Sequence, residues 1–121
     1  MAKSQDAEIL LPVLRDLYIE LIRADGPDLT ARQLSLFLLI HMEPGPHTVR
    51  GMAAKLDISK PAVTRAVDRM ELLDLLKRRP DPEDRRSVLV GRTMKGRAVL
   101  ATIKASLPKD LKLSSSVPRK A

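Results

Sequence analysis

A chain of 121 residues, 44% hydrophobic and 31% charged, is long enough for one folded domain and too short for two of ordinary size. It has no cysteine, which excludes disulfides, thiolate zinc sites and iron–sulfur ligation. The formal charge of +7 is unevenly distributed, with −3 on residues 1–46, +6 on residues 47–97 and +4 on residues 98–121. The basic middle and tail suit a polyanion, although a membrane surface or an acidic protein would also attract them.

Further classes of protein are excluded by what the chain lacks. No apolar run can span a bilayer and no secretory signal opens the chain, so we expect a cytoplasmic protein that does not bind membranes. His41 and His47 flank the Pro44–Pro46 turn without metal-ligand spacing, so we predict surface or packing roles for them and no cofactor. Tyr18 and Phe37 are too few to stack single-stranded bases, which leaves duplex nucleic acid.

The first predicted helix has a leucine stripe at helical spacing and ends before Asp25-Gly26-Pro27. Its start is ambiguous: it begins near Leu11 with Pro12 in its first turn, or from about Gln5 with a kink at Pro12. The stripe comprises Leu10, Leu14, Leu17 and Leu21, with Leu11, Tyr18 and Ile22 beside it.

A second helix is predicted to start at Thr30, because Thr30 and Gln33 have the spacing of a capping box. It is apolar almost all round, which predicts a central place in the core, and the segment Glu43–Pro46 ends it. The residues predicted to supply its core contacts are Leu34, Phe37, Leu38 and Ile40.

Two further helices follow, separated by a short turn. Thr48 is predicted to cap a helix through about Leu56, and Ser59 another to about Leu73. Asp57 stands where such a turn needs a left-handed residue, and Ile58 is expected to enter the core. The inner face of the later helix is predicted to be Val63, Val67 and Met70, with Ala62, Ala66 and Leu73 at its edges.

A β-hairpin and a last helix complete the predicted domain. The hairpin arms are Leu75–Arg79 and Ser87–Val90, on either side of a turn over Pro80–Asp84. Thr93 can cap the last helix, which must end by Pro108. The expected fold is therefore mainly α with a small β-wing, a winged helix-turn-helix domain over residues 1–106, followed by a basic flexible tail over residues 107–121.

The segments of residues 29–100 that are most specific for a known family are DISKPAVTRAVDRME and RRPDPEDRRSVLV, followed by TMKGR. Together with their surroundings over residues 29–100, they resemble the MarR family of bacterial regulators. The resemblance implies a winged helix fold with a DNA-binding lobe at about residues 29–92. It also implies homodimerisation through the terminal helices and binding to palindromic operator DNA, hence a transcriptional regulator.

Candidate DNA contacts lie on the helix that starts at Ser59, since the first turns of such a helix reach base edges in the major groove. Arg65 is our candidate for a base contact, Thr64 for a thymine methyl or phosphate, and Ser59 and Lys60 for phosphate. The alternative is that the outer side chains are only a solvated face, and we interpret Arg69 in that way, paired with Asp68 or a neighbour. The full predicted set is Ser59, Lys60, Pro61, Thr64, Arg65, Arg78, Arg79, Arg85 and Arg86.

The wing part of that set depends on the resemblance. Asp84-Arg85-Arg86 matches a family motif in which an acidic residue orients an arginine and an arginine near the tip enters the minor groove. A narrow minor groove concentrates negative potential and attracts guanidinium groups. Lys77, Arg78 and Arg79 are phosphate contacts or ordinary edge-strand charges, with neither alternative favoured.

The chain departs from the family pattern at three places. Asp74 stands where the family usually has a glycine. Arg92 stands where the family usually has an apolar residue, and we expect this replacement to loosen the packing of the last helix. Only 25 residues follow Gly96, too few for the family's second long helix. Seven apolar residues of the terminal helices are predicted to form the dimer interface; the alternative is that they pack within the subunit. They are Leu10, Leu14, Leu17, Leu21, Val99, Leu100 and Ile103.

Two classes of function remain open at this point. One is a homodimeric regulator that binds specific duplex DNA, and the other is a winged-helix adaptor for another protein with only non-specific nucleic acid binding. An enzyme is not expected, because the chain has no nucleophile motif and no phosphate-binding glycine loop. No small-molecule effector can be predicted.

Overall fold

The computed structural model describes residues 4–114, without the Ser4 side chain. Its helices are α1 (Ser4–Arg23), α2 (Ala31–Met42), α3 (Val49–Leu56), α4 (Lys60–Leu72) and α5 (Met94–Ser106), and its strands are β1 (Leu76–Asp81) and β2 (Asp84–Arg92). The described residues fall into two compact units, Leu29–Thr102 and residues 4–28 with 103–114. The predicted class, mainly α with a small wing, is confirmed. Of the predicted tail, residues 115–121 lie outside the described part.

Helix starts are set by the predicted caps. Thr30 and Gln33 form both bonds of the capping box: the Gln33 backbone N–H donates to Thr30 Oγ1 at 3.1 Å, and the Thr30 N–H donates to Gln33 Oε1 at 2.9 Å. Thr48 Oγ1 accepts from the Gly51 N–H at 2.9 Å, and Ser59 Oγ from the Ala62 N–H at 3.2 Å. Each bond satisfies a backbone donor that a helix start leaves open.

The core of Leu29–Thr102 forms where α2 packs on α4 and β2. The α4 face was predicted correctly, but Leu34 and Leu38 on α2 are only partly buried, as is Ile58. An almost all-round apolar helix gives no preferred face, so the packing partners decide which side chains are covered. The fully or almost fully buried apolar side chains include Leu36, Phe37, Ile40, Met52, Val63, Val67, Met70, Leu76 and Val90.

The hairpin is longer than predicted, because Pro80 and Asp81 belong to β1 and Asp84 to β2. The ladder runs from Leu76 opposite Arg92 to Pro80 opposite Val88, and its register shifts before Asp81 pairs with Asp84. Residues 85–87 of β2 therefore lie in an irregularity near the tip. In the middle of the ladder, the Val90 N–H donates to the His47 carbonyl at 2.9 Å, which joins the segment before α3 to the wing.

Helix α1 follows the longer of the two predicted alternatives, since it runs from Ser4 through Pro12 to Arg23. It ends before Asp25-Gly26-Pro27, as predicted. Among the described residues, no helix combines the length and the apolar character that crossing a membrane requires.

Arg92, which the sequence analysis considered only for its effect on the last helix, makes its hydrogen bonds to α2. Its Nε donates to the Ile40 carbonyl and its Nη2 to the Glu43 carbonyl, both at 2.9 Å. These carbonyls lie at the C-terminal end of α2, where helices leave acceptors unpaired and the helix dipole attracts a cation. Arg92 therefore caps α2 from β2.

Replacing Arg92 with alanine is expected to lower the free energy of unfolding by about 1 kcal/mol, because it removes two charge-assisted bonds from a half-exposed site. Arg92→Lys should lose a similar amount, since one ammonium group does not reproduce the guanidinium fork. Urea unfolding measures both, with Arg85→Ala at the exposed wing as control. Equal midpoints for Arg92→Ala and Arg85→Ala would contradict the capping role.

His41 is a buried packing residue that joins α2 to the start of the wing. It is 5% exposed, its ring centroid lies 4.5 Å from that of Phe37, and its Nε2 bonds the Leu75 carbonyl at 2.9 Å. A carbonyl only accepts, so Nε2 carries a proton, and Nδ1 is buried without a hydrogen-bond partner among the described residues. Burial lowers the pKa of His41 below its ordinary value of 6.5.

This lowered pKa predicts that the protein loses stability below about pH 6.5. There the unfolded chain binds a proton at His41 while the folded chain does not, so stability falls as pH drops from 6.5 towards the folded pKa. Melting temperatures between pH 7.5 and pH 5 should fall less steeply in His41→Gln than in the parent protein. Parallel curves would show that His41 does not contribute.

Candidate nucleic-acid interface

The turn between α3 and α4 fixes the angle between these two helices. Asp57 adopts the predicted left-handed conformation, with φ 53° and ψ 48°. The next N–H, that of Ile58, donates to the Ala53 carbonyl at 3.1 Å. Ala53 is buried, and its small side chain allows the helices to approach closely. The arrangement is a helix-turn-helix.

Helix α4 presents one face to the core and one outward. Val63, Val67 and Met70 are each 0% exposed and hold the helix against the core. On the other side Lys60, Pro61 and Arg65 are exposed and Thr64 is partly buried. The outward placement of Arg65 therefore agrees with the sequence analysis. Ser59, which was expected to bind phosphate, uses its oxygen to cap α4.

A cleft of about 280 Å³ separates α4 from the wing. It brings together residues that were predicted separately, from the helix and from both strands. It does not include Ser59, Pro61, Arg65, Arg79 or Arg85. The cleft is lined by Thr48, Val49, Arg50, Lys60, Thr64, Arg78, Asp84, Arg86, Ser87 and Val88.

Arg50 is a residue of this cleft that the sequence analysis missed. It lies in the first turn of α3, is exposed, and forms no ion pair within residues 4–114. Its signal in the sequence was its position two residues after the Thr48 cap, where a side chain lies near the helix start. Lys55, at the other end of α3, instead pairs with Glu43 at 2.6 Å.

The wing arginines Arg85 and Arg86 are exposed near the hairpin tip. Asp84 contacts this segment, but through the backbone: its Oδ1 accepts from the Arg86 N–H at 3.0 Å. Asp81 Oδ1 accepts from the Glu83 N–H at 2.9 Å in the same way. The acidic residues of the tip thus shape the turn and leave both guanidinium groups exposed.

Arg78 and Arg79, which the sequence did not distinguish, face opposite sides of β1. Arg79 lines a different groove, together with Pro46 and Leu89. Arg78 lines the cleft, but its guanidinium contacts Glu71 Oε1 at 2.9 Å and Asp68 Oδ1 at 2.6 Å. Asp68, one of the partners considered for Arg69, is thus paired with Arg78.

The residues predicted for dimerisation divide into two groups in the structure. Leu10, Leu17 and Leu21 are partly buried, as are Val99 and Ile103, and Leu100 is only 8% exposed. Leu14 instead joins an exposed apolar stripe with three residues that the sequence placed beside the leucines. This α1 stripe consists of Leu11, Leu14, Tyr18 and Ile22, at spacings of three and four residues.

The described residues contain no group of histidine, cysteine or carboxylate side chains that could hold a metal ion. Both histidines instead bond backbone carbonyls, and His47 Nε2 lies 2.9 Å from the Glu43 oxygen.

A helix-turn-helix followed by a hairpin, with an outward helix face beside a cation-lined cleft, defines a winged helix-turn-helix protein. Residues 28–87 match the sequence profile described as MarR family. The matched segment places the helix-turn-helix and the adjoining hairpin in this family of transcriptional regulators.

Solved structures agree with this assignment. The transcriptional regulator Tm0710 of Thermotoga maritima is 28% identical with a TM-score of 0.67, over 86% of this chain and 73% of that one. The structure of MarR is 28% identical with a TM-score of 0.63, over 83% and 73%. Streptococcus pneumoniae FabT in complex with DNA is 23% identical with a TM-score of 0.62, over 84% and 73%, and shares the fold. No curated protein matches the chain.

Proposed function

We propose that this protein is a transcriptional regulator that binds a specific duplex-DNA sequence as a homodimer and acts in the cytoplasm. The observation that carries the proposal is the exposed face of α4, with Arg65 outward and Thr64 beside a cleft lined by Arg50, Lys60 and Arg86. None of these cations forms an ion pair among the described residues, so each is available to a phosphate or a base.

The proposed docking places the first turns of α4 in the major groove. Arg65 reads a base edge, Lys60 and Arg50 bind phosphates, and Thr64 contacts a thymine methyl or a phosphate. Arg85 and Arg86 extend from the tip of the wing towards the adjacent minor groove. FabT, which shares this fold, has been solved in complex with DNA, which supports this use of the fold.

The α1 stripe supports the homodimer. Leu11 is 62% and Ile22 73% exposed, and a row of large apolar side chains on one helix face is more stable when a second surface covers it. A second copy would present the same stripe, as a twofold interface requires, and two copies of α4 would read the two halves of a palindrome. Ile22→Glu should then convert the dimer to a monomer in sedimentation, whereas Leu72→Glu on α4 should not.

Titration on duplex DNA at several salt concentrations tests the DNA-binding proposal. A regulator should select one sequence from a randomised pool, protect two half-sites in footprinting, and lose affinity steeply as salt rises. Weak binding that is equal on all sequences would reject the proposal and favour the protein–protein adaptor.

A further inference from the structure

The Arg78 cluster, defined as Arg78 with Asp68 and Glu71, joins the wing to α4. Glu71 Oε1 accepts from Arg78 Nε at 3.1 Å and from Nη2 at 2.9 Å, and Glu71 Oε2 accepts from the Arg78 backbone N–H at 3.0 Å. Arg78 Nη2 also contacts Asp68 Oδ1 at 2.6 Å. Four contacts thus connect one residue of β1 to two residues, a helical turn apart, on α4.

The charges of this cluster make Arg78 a poor phosphate ligand although it lines the cleft. One guanidinium faces two carboxylates, so the cluster carries a net negative charge. The hydrogen bonds from Arg78 lower the pKa of Glu71, and those to Glu71 raise the pKa of Arg78, so both groups stay charged. The Arg78 and Glu71 side chains are 31% and 36% exposed and Asp68 is 51% exposed, so solvent screens the bonds to Glu71 less than the contact with Asp68.

The position of the Arg78 cluster indicates a structural role between α4 and the wing. Asp68 is one helical turn after Thr64, and Arg78 lies in the strand paired with the one that carries Arg86. The chain between α4 and β1 is only residues 73–75, and its Asp74 adopts a left-handed conformation. The Arg78 cluster is therefore a direct side-chain connection between the wing and α4, beside the outward face of that helix.

We propose that Arg78 is a positioning residue for DNA recognition, which holds the wing arginines and the first turns of α4 in one geometry before DNA arrives. The proposal rests on the proposed function and goes beyond it, because it assigns the two carboxylates a positive role in binding a polyanion. A preformed arrangement loses less conformational entropy when DNA binds. This favours the specific site, where α4 and the wing must both fit the DNA at once.

The test uses Glu71→Gln, which removes a negative charge beside the DNA. If Arg78 were a phosphate contact restrained by Glu71, this variant would bind every duplex more tightly. The positioning role predicts the opposite change: the affinity of Glu71→Gln for the specific duplex falls by about tenfold, while its affinity for non-specific duplexes is unchanged or rises. Glu83→Gln, at the exposed tip, removes the same charge outside the cluster and should not lose specific affinity.

Arg78→Lys separates charge from geometry, since lysine serves as a phosphate ligand but does not reproduce the fork to two carboxylates. It should lose specific affinity as Glu71→Gln does, with the salt dependence of binding unchanged. If Arg78 were instead a phosphate contact, lysine would replace it and Arg78→Lys would keep the parent affinity for the specific duplex, which would overturn the proposal. So would specific affinity that stays at the parent level in both variants.

Hydrogen exchange without DNA distinguishes failure of this inference from failure of the proposed function. Backbone amides of β1 and β2 should exchange faster in Arg78→Lys and Glu71→Gln than in the parent or Glu83→Gln, while α2 amides are unchanged. If no duplex is bound specifically by the parent protein, the proposed function fails and the role of Arg78 in DNA recognition fails with it. If the parent protein binds specific DNA and the hydrogen exchange of the β1 and β2 amides is the same in the variants, only the positioning role is overturned.

Discussion

Gly96→Ala is expected to destabilise the unit Leu29–Thr102 by about 3 kcal/mol. An added Cβ would overlap the His41 ring and the Leu75 carbonyl oxygen, the two groups that share a hydrogen bond. The carbonyl belongs to the backbone between α4 and β1, and the ring is packed against Phe37, so neither can move freely. The glycine of the TMKGR segment is therefore required for close approach of α5.

Urea unfolding of Gly96→Ala gives the size of this effect, and Gly26→Ala is the matched control. A Cβ at Gly26 has nothing within 4 Å, and no glycine of the described chain has a positive φ. The control should leave the midpoint unchanged or raise it slightly, because alanine restricts the unfolded chain. A Gly96→Ala midpoint within error of the control would show that the contact relaxes at no cost.

Arg65→Ala is expected to weaken binding to the specific duplex by about 1–3 kcal/mol and to relax preference at one base position. The reason is that an arginine outside the core face, in the first turns of α4, can bond a guanine edge with both arms of its guanidinium. Competition binding against duplexes with single base changes measures both effects.

Arg69→Ala is the control for this experiment. Arg69 is also exposed, but it lies one turn further from the start of α4, and the sequence favours a solvated role for it. It should lose less affinity and keep the base preference. If Arg65→Ala instead lost affinity equally on every sequence, Arg65 would contact phosphate and another residue would read the base.

The wing illustrates which features a sequence pattern predicts and which it does not: the hairpin was predicted, but its length was not. Alternating apolar residues predicted the hairpin, but the prolines and acidic residues over 80–84 were interpreted as one long turn. In the structure Pro80 and Asp81 pair with β2, since a two-stranded hairpin has open edges where a residue without an N–H is tolerated. The same limit applies to α1, where spacing predicted one leucine stripe and the structure exposes another that includes Leu14.

Features whose causes lie within a few residues of each other could be predicted from the chain before its fold was known. The caps Thr30, Thr48 and Ser59, the left-handed Asp57 and the buried face of α4 all follow from short-range bonds and helical spacing. The outward direction of Arg65 follows from the same spacing. These features were sufficient to indicate the class of protein.

Which charged side chains are already paired depends on how the helices and strands pack. Arg92 caps a carbonyl 52 positions away, and His41 bonds one 34 positions away. Arg78 is bound by α4 carboxylates while Arg50 is not paired within the described residues. Such partners meet only after the elements pack, and no local pattern encodes them, because a guanidinium can donate to a carboxylate, a carbonyl or a phosphate.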